Sequence, residues 1–129
     1  MVKVSLDDIR VTTLAKVVTN GGDVMHAMKS SDANYKGFGE VYFSWIEQGV
    51  IKAWKCHNKM TMNLICPLGE VRFVFQSPVS KDEFRVENIG EEKYVRLTVP
   101  PGIWFGFQGQ AKDRSLLANI ADIAHQEEE

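Results

Sequence analysis

Between Gly49 and Phe75 the chain reads GVIKAWKCHNKMTMNLICPLGEVRFVF, and apolar and polar residues alternate through most of it with a period of two. A β-strand sends successive side chains to opposite faces, so this period fits half-buried strands; a helix would repeat its apolar positions every three to four residues. A stretch this long cannot be one strand, and breakers divide it. Strand-forming β-branched and aromatic residues also run from Val11 to Val18 and from Val41 to Ile46.

Turn signals separate these runs: NGGD at Asn20 to Asp23, Gln48-Gly49, CPLGE at Cys66 to Glu70, NIGEE at Asn88 to Glu92 and PPG at Pro100 to Gly102. That spacing predicts an all-β sandwich or barrel. SLDDIRVTTLAKVV could open a helix with Ser5 as N-cap and Asp7 and Asp8 in its first turn, but Val11, Thr12 and Thr13 argue for a strand soon afterwards. With 129 residues the chain is expected to form one domain, residues 1–129, ending in a solvated EEE tail.

Several function classes are disfavoured. The net charge is −2 with no basic run, so the phosphate-neutralising stripe of a nucleic-acid binder is missing. Acids interrupt the N-terminal MVKVSLDDIRVTT, and no apolar run is long enough to span a membrane, so a cytoplasmic protein without membrane contact is expected. Cys56 and Cys66 make neither a disulfide framework nor a zinc-finger spacing and read as reduced thiols.

Lys55, His57 and Lys59 fall within five residues. In a strand from Val50 to His57, parity groups Ile51, Ala53, Lys55 and His57 on one face and Val50, Lys52, Trp54 and Cys56 on the other. Lys55 and His57 should therefore point the same way, into a cavity or out to solvent.

The spacing of this stretch resembles the first motif of the cupins, a jelly-roll superfamily: glycine, five residues, His-x-His, four residues, Glu, six residues, Gly. Gly49, Lys55, His57, Met62 and Gly69 occupy those positions. In the second motif, PPGIWFGF supplies Pro100 and Gly102 but places Phe105 where the cupins have histidine. Of four metal-ligand positions only His57 keeps its ligand, and one imidazole does not define a metal site. The resemblance thus implies a cupin-type double-stranded β-helix working without metal or other cofactor.

Within the superfamily the chain most resembles the dTDP-4-dehydrorhamnose 3,5-epimerases and the dTDP-4-keto-6-deoxyglucose 3,4-ketoisomerases, through KGFGEVYF (36–43), GVIKAWKCHNK, PLGEVRFVF, VPPGIWFGF and LLANIADIAH (116–125). Lys55 aligns with the epimerases' basic histidine in Gly-Leu-His, and His57 with the second histidine of the ketoisomerases' Gly-Phe-His-Ala-His. The epimerases' tyrosine acid belongs in a strand resembling LLANIAD, where this chain has no tyrosine.

The resemblance implies an isomerase acting on a nucleotide-linked 4-keto-deoxysugar, in polysaccharide, O-antigen or lipopolysaccharide biosynthesis, as a homodimer. Its alternative is a non-catalytic cupin that binds a sugar or nucleotide sugar. Chemistry beside a keto group needs a base for the α-proton, a stabiliser for the enolate and an acid to return the proton. His57 is the natural base, with Lys55 or Lys59 stabilising the enolate; alternatively Lys55 is itself the base. Tyr42 is the candidate acid, with Tyr94 a second choice. Lys36, Lys52 and Arg72 are candidates for the diphosphate, Trp104 for stacking on a ring, and Asn63 for a polar contact. His26 and His125 are assigned structural or solvent roles.

Overall fold

The structure, a computed structural model, describes residues 3–126. Eleven strands follow a 3-10 turn at Leu6–Asp8: β1 (Arg10–Thr13), β2 (Lys16–Val17), β3 (Val24–Met25), β4 (Glu40–Glu47), β5 (Ile51–Lys55), β6 (Met62–Leu68), β7 (Glu70–Gln76), β8 (Phe84–Gly90), β9 (Val95–Val99), β10 (Trp104–Gly109) and β11 (Arg114–Ala121). A five-stranded sheet in the order β1-β9-β6-β11-β4 faces a four-stranded sheet in the order β5-β10-β7-β8, and β2 and β3 form a separate hairpin. All strand pairs are antiparallel.

The core between the sheets comes directly from alternation. In β7, EVRFVFQ, the residues Val71, Phe73 and Phe75 are fully buried, while Arg72 between them is exposed. Each such side chain contributes roughly 1.5–3 kcal/mol on leaving water. Phe73 is the aromatic centre, its ring centroid 5.7 Å from that of Phe75 and 5.2 Å from that of Phe107. Leu64, Leu97, Val99 and Leu117 close the core from the five-stranded sheet.

The expected turns at NGGD, Gln48-Gly49 and PPG fall between strands; at NIGEE β8 runs on through Gly90 and the break begins at Glu91, and at CPLGE the strand runs on through Leu68 and only Gly69 interrupts it. Three local expectations change. The possible helix after Ser5 is a single 3-10 turn, closed by the Ser5 N–H donating to Asp8 Oδ2 at 2.8 Å. The strand expected from Val11 to Val18 is two: β1 ends where Leu14 N–H donates to the Tyr94 carbonyl, and the chain then leaves the sandwich for the β2–β3 hairpin. The strand expected from Val50 to His57 stops at Lys55. The EEE tail lies outside the described residues. Among the described residues no helix is long and apolar enough to cross a membrane.

Candidate active site

A cavity of about 350 Å³ lies between the two sheets. Tyr42 and Ser44 reach it from β4, Met62 and Leu64 from β6, Phe73 from β7, Phe105 and Phe107 from β10, and Leu117 and Asn119 from β11. Lys52 to Lys55 and His57 complete its wall. It is an apolar pocket with a few convergent polar groups, the usual form of a small-molecule site.

The cationic stretch reaches this cavity through an irregularity that parity alone does not foresee. Phe105 pairs with Lys55, but Phe107 pairs with Lys52, so two residues of β5, Ala53 and Trp54, stand opposite the single Gly106. This is a β-bulge. Residues directly opposite in a sheet share a face, so Lys52 and Lys55 both lie on the side of Phe107 and Phe105, the cavity side. The expected grouping of Lys52 on the face opposite Lys55 is thereby corrected. Gly106 is what lets the bulge pack: a Cβ there would come within 2.6 Å of Ala53 Cβ.

His57 lies beyond the end of β5 and is 3% exposed. Its imidazole stacks on Phe105, with centroids 5.9 Å apart and planes 25° from parallel. Its backbone carbonyl accepts the Gly102 N–H at 2.8 Å, so the PPG turn holds it in place. Gly102 has φ +94°, a conformation that suits glycine. Lys55 is exposed and also borders a side cleft of about 320 Å³, shared with Tyr42, Glu40 and His125.

Tyr42 is partly buried, and its hydroxyl receives a hydrogen bond from Asn119 Nδ2 at 3.0 Å. The two residues are direct partners in the β4–β11 ladder. The strand that lacks a tyrosine at the expected place thus carries an asparagine that meets a tyrosine from the next strand.

The structure brings His57, Lys55, Tyr42 and Lys52 to one cavity and leaves the other candidates outside it. Lys59 is exposed in the turn after β5, and Lys36 is exposed in the loop before β4. Arg72 and Trp104 alternate with Phe73 and Phe105 and so occupy the outer face of the four-stranded sheet, where Arg72 Nε donates to Asn88 Oδ1 at 3.1 Å. Asn63 is buried but has the opposite parity to the cavity-lining Met62 and Leu64; its Oδ1 accepts Thr98 Oγ1 at 2.6 Å. Tyr94 is buried away from the cavity, and burial raises its phenol above the ordinary range.

Sequence reasoning missed Ser44, Trp54, Asn119 and the placement of His125. For Asn119 a signal existed: one amide inside the apolar run LLANIA must find partners if buried. His125 reaches the side cleft because the C-terminal segment folds back along the sandwich. Thr61 N–H donates to Asp122 Oδ1 at 2.8 Å, and His125 N–H to Glu40 Oε1 at 3.0 Å.

Among the described residues no group of three His, Cys, Asp or Glu side chains is placed to hold a metal ion. The cupin ligand positions that Lys55, Met62 and Phe105 occupy line the cavity as an ammonium, a thioether and a phenyl ring.

No protein-family model matches the sequence, and no curated protein matches it. Solved structures do match. The chain is similar to a dTDP-sugar isomerase from Desulfovibrio desulfuricans G20, with 28% identity, a TM-score of 0.89 and coverage of 98% of this chain and 84% of that one. It is also similar to a sugar 3,4-ketoisomerase from Thermoanaerobacterium thermosaccharolyticum in complex with TDP, at 18% identity, TM-score 0.80 and coverage of 95% and 86%. A dTDP-4-dehydrorhamnose 3,5-epimerase from Elizabethkingia anophelis NUHP1 matches at 16% identity, TM-score 0.76 and coverage of 98% and 75%. The expected jelly-roll cupin fold is the observed one, and it is the fold of these sugar-nucleotide proteins.

Proposed function

We propose, from a chain with the fold of the cupin sugar-nucleotide isomerases and epimerases, that the protein isomerises or epimerises a nucleotide-linked 4-keto-deoxysugar by proton transfer beside the carbonyl. The observation that carries this reading is the convergence of His57, Tyr42 and two lysines on one largely apolar cavity. Hydrophobic side chains line much of the cavity, and the few polar groups are the ones an enolisation requires.

We assign the roles from burial and position. Burial is what would turn a lysine into a base, and Lys55 is exposed, so we give it the enolate-stabilising role rather than that of the base. His57, buried and fixed by Phe105 and the PPG turn, takes the proton from the carbon next to the keto group. The electron pair of that C–H bond moves into the enolate, whose oxygen Lys55 stabilises. Tyr42 then gives its proton to carbon: in an epimerisation to the same carbon from the other face, or in a ketoisomerisation to the former carbonyl carbon, while the proton of the neighbouring hydroxyl passes to the former carbonyl oxygen and the new keto group forms where that hydroxyl stood. Proton exchange with water returns His57 and Tyr42 to their starting forms.

Lys52 lies on the same side of β5 as Lys55 and is the cation for the diphosphate, in place of Lys36 and Arg72. Trp54, 52% exposed and on the cavity wall, takes the stacking role first considered for Trp104. The reaction needs no metal, since proton transfer and charge stabilisation are both supplied by side chains. A cytoplasmic setting fits the two unjoined cysteines, and O-antigen or lipopolysaccharide synthesis is the expected context. A homodimer would cover β4, an edge strand of the five-stranded sheet, whose outer face exposes Val41, Phe43 and Trp45.

The test is solvent exchange: the protein is incubated in deuterated water with a panel of dTDP-4-keto-deoxysugars. Deuterium on carbon beside the keto group supports the proposal. Tight binding without any exchange would overturn it in favour of a non-catalytic sugar-nucleotide binder.

A further inference from the structure

We infer that Asn119 is a positioning residue that fixes Tyr42 as a proton donor toward the cavity; its catalytic consequence rests on the function proposed above. Asn119 is 3% exposed in the middle of β11. The two ends of an amide look alike in outline, so their orientation has to be settled by their neighbours. Here the neighbours settle it. One end lies 3.1 Å from the backbone N of Asn63, and a backbone N–H can only donate, so that end is the oxygen.

The other end is therefore the NH₂ group, which can only donate. It lies 3.0 Å from Tyr42 Oη and 3.6 Å from Met60 Sδ, one contact for each of its hydrogens. Tyr42 Oη must accept, and its own proton is not spent on Asn119. Tyr42 lines the main cavity as well as the side cleft, so that proton is available to a group bound in the cavity. The same bond assists after transfer, because a donor on the phenol oxygen stabilises the negative charge that Tyr42 acquires.

Asparagine is needed here for its asymmetry. A carboxylate in the same place would offer two acceptors. The Asn63 N–H would still be satisfied, but Tyr42 would have to donate to the second oxygen, and its proton would be turned away from the cavity. The change is close to isosteric; it reverses the bond to Tyr42 and gives up the weak donation to Met60 Sδ.

The tyrosine Fermi doublet in the Raman spectrum reports whether a phenol hydroxyl donates or accepts, and a difference spectrum against Tyr42→Phe isolates Tyr42. The ligand-free parent is expected to show the accepting pattern; a purely donating one overturns the inference whatever the protein turns over. In Asn119→Asp the pattern should reverse, and kcat for exchange should fall about a hundredfold or more with KM within about threefold, the signature of a lost proton donor. A reversed doublet with unchanged kcat, or no reversal, refutes the positioning role. If Asn119→Asp does not fold, the comparison of parent with Tyr42→Phe still decides the sense of the bond. If no 4-keto sugar is turned over, the proposed function fails, and the doublet still tests the orientation of Tyr42.

Discussion

Gly106→Ala should damage the site without touching it. Gly106 stands in β10 opposite the bulge in β5, and a Cβ there would meet Ala53 Cβ at 2.6 Å and Ala53 Cα and the Lys52 carbonyl oxygen at 3.4 Å. Carbon atoms rest at about 3.5–4.0 Å, so β5 must retreat by roughly 1 Å. No flexible side chain can yield instead, since the contacts are a methyl on the main chain and the main chain itself. Overpacking of this kind costs about 1–3 kcal/mol, offset by about 0.4–1 kcal/mol because alanine restricts the unfolded chain. The net loss, at most about 2.6 kcal/mol and centred on roughly 1, should lower Tm by several degrees. The larger effect is on rate. β5 carries Lys52 and Lys55 and leads into His57, and a 1 Å misplacement of a reacting group costs about a hundredfold. Thermal melts and exchange kinetics on Gly106→Ala, and on the same chain with Ala53→Gly added, check the reasoning. The second change removes the 2.6 Å contact and should restore most of the rate. A fully active Gly106→Ala, or a double variant no better than the single, would refute it.

Burial pushes the Cys66 thiol up to about 12, so in the native protein it should resist iodoacetamide at pH 8 and react only on unfolding; equal labelling of Cys66 and the half-buried Cys56 would contradict this. The Lys29 N–H, and after it the Arg96 guanidinium, hold the Asp32 carboxyl below its ordinary 3.8. A depressed carboxylate stabilises the fold above its unfolded value, and that contribution is lost as pH falls through the folded one. Asp32→Asn should therefore melt below the parent at pH 7, and the gap should close under acid; a constant gap sinks the linkage. Lys52→Met should weaken dTDP binding about five- to tenfold, less so at high salt, as measured by calorimetry. Unchanged affinity would remove the diphosphate from Lys52.

The alternating runs made the sandwich legible, because period two is imposed by the strand itself and the turn residues mark its ends. The candidate site was partly legible through resemblance: the cupin-like spacing singled out Lys55 and His57, and the structure places both, with Tyr42, on one cavity. What escaped depended on distant partners. The bulge that brings Lys52 to the cavity has no mark within IKAWK; its complement, Gly106, lies about fifty residues away. Trp104 and Arg72 were misplaced because residue type alone does not assign a face, although the alternation with Phe105 and Phe73 already put both opposite the core. The role of Asn119 depends on a cross-strand contact that only the register of β4 with β11 creates.

The rate at which solvent deuterium enters dTDP-4-keto-6-deoxyglucose, compared between the parent and His57→Asn, tests the central claim most directly. The account predicts exchange on carbon beside the keto group in the parent, slowed by about two to four powers of ten in the variant, with dTDP affinity nearly unchanged. Exchange that continues at the parent rate in His57→Asn would contradict it, because the proton would then be leaving to another base.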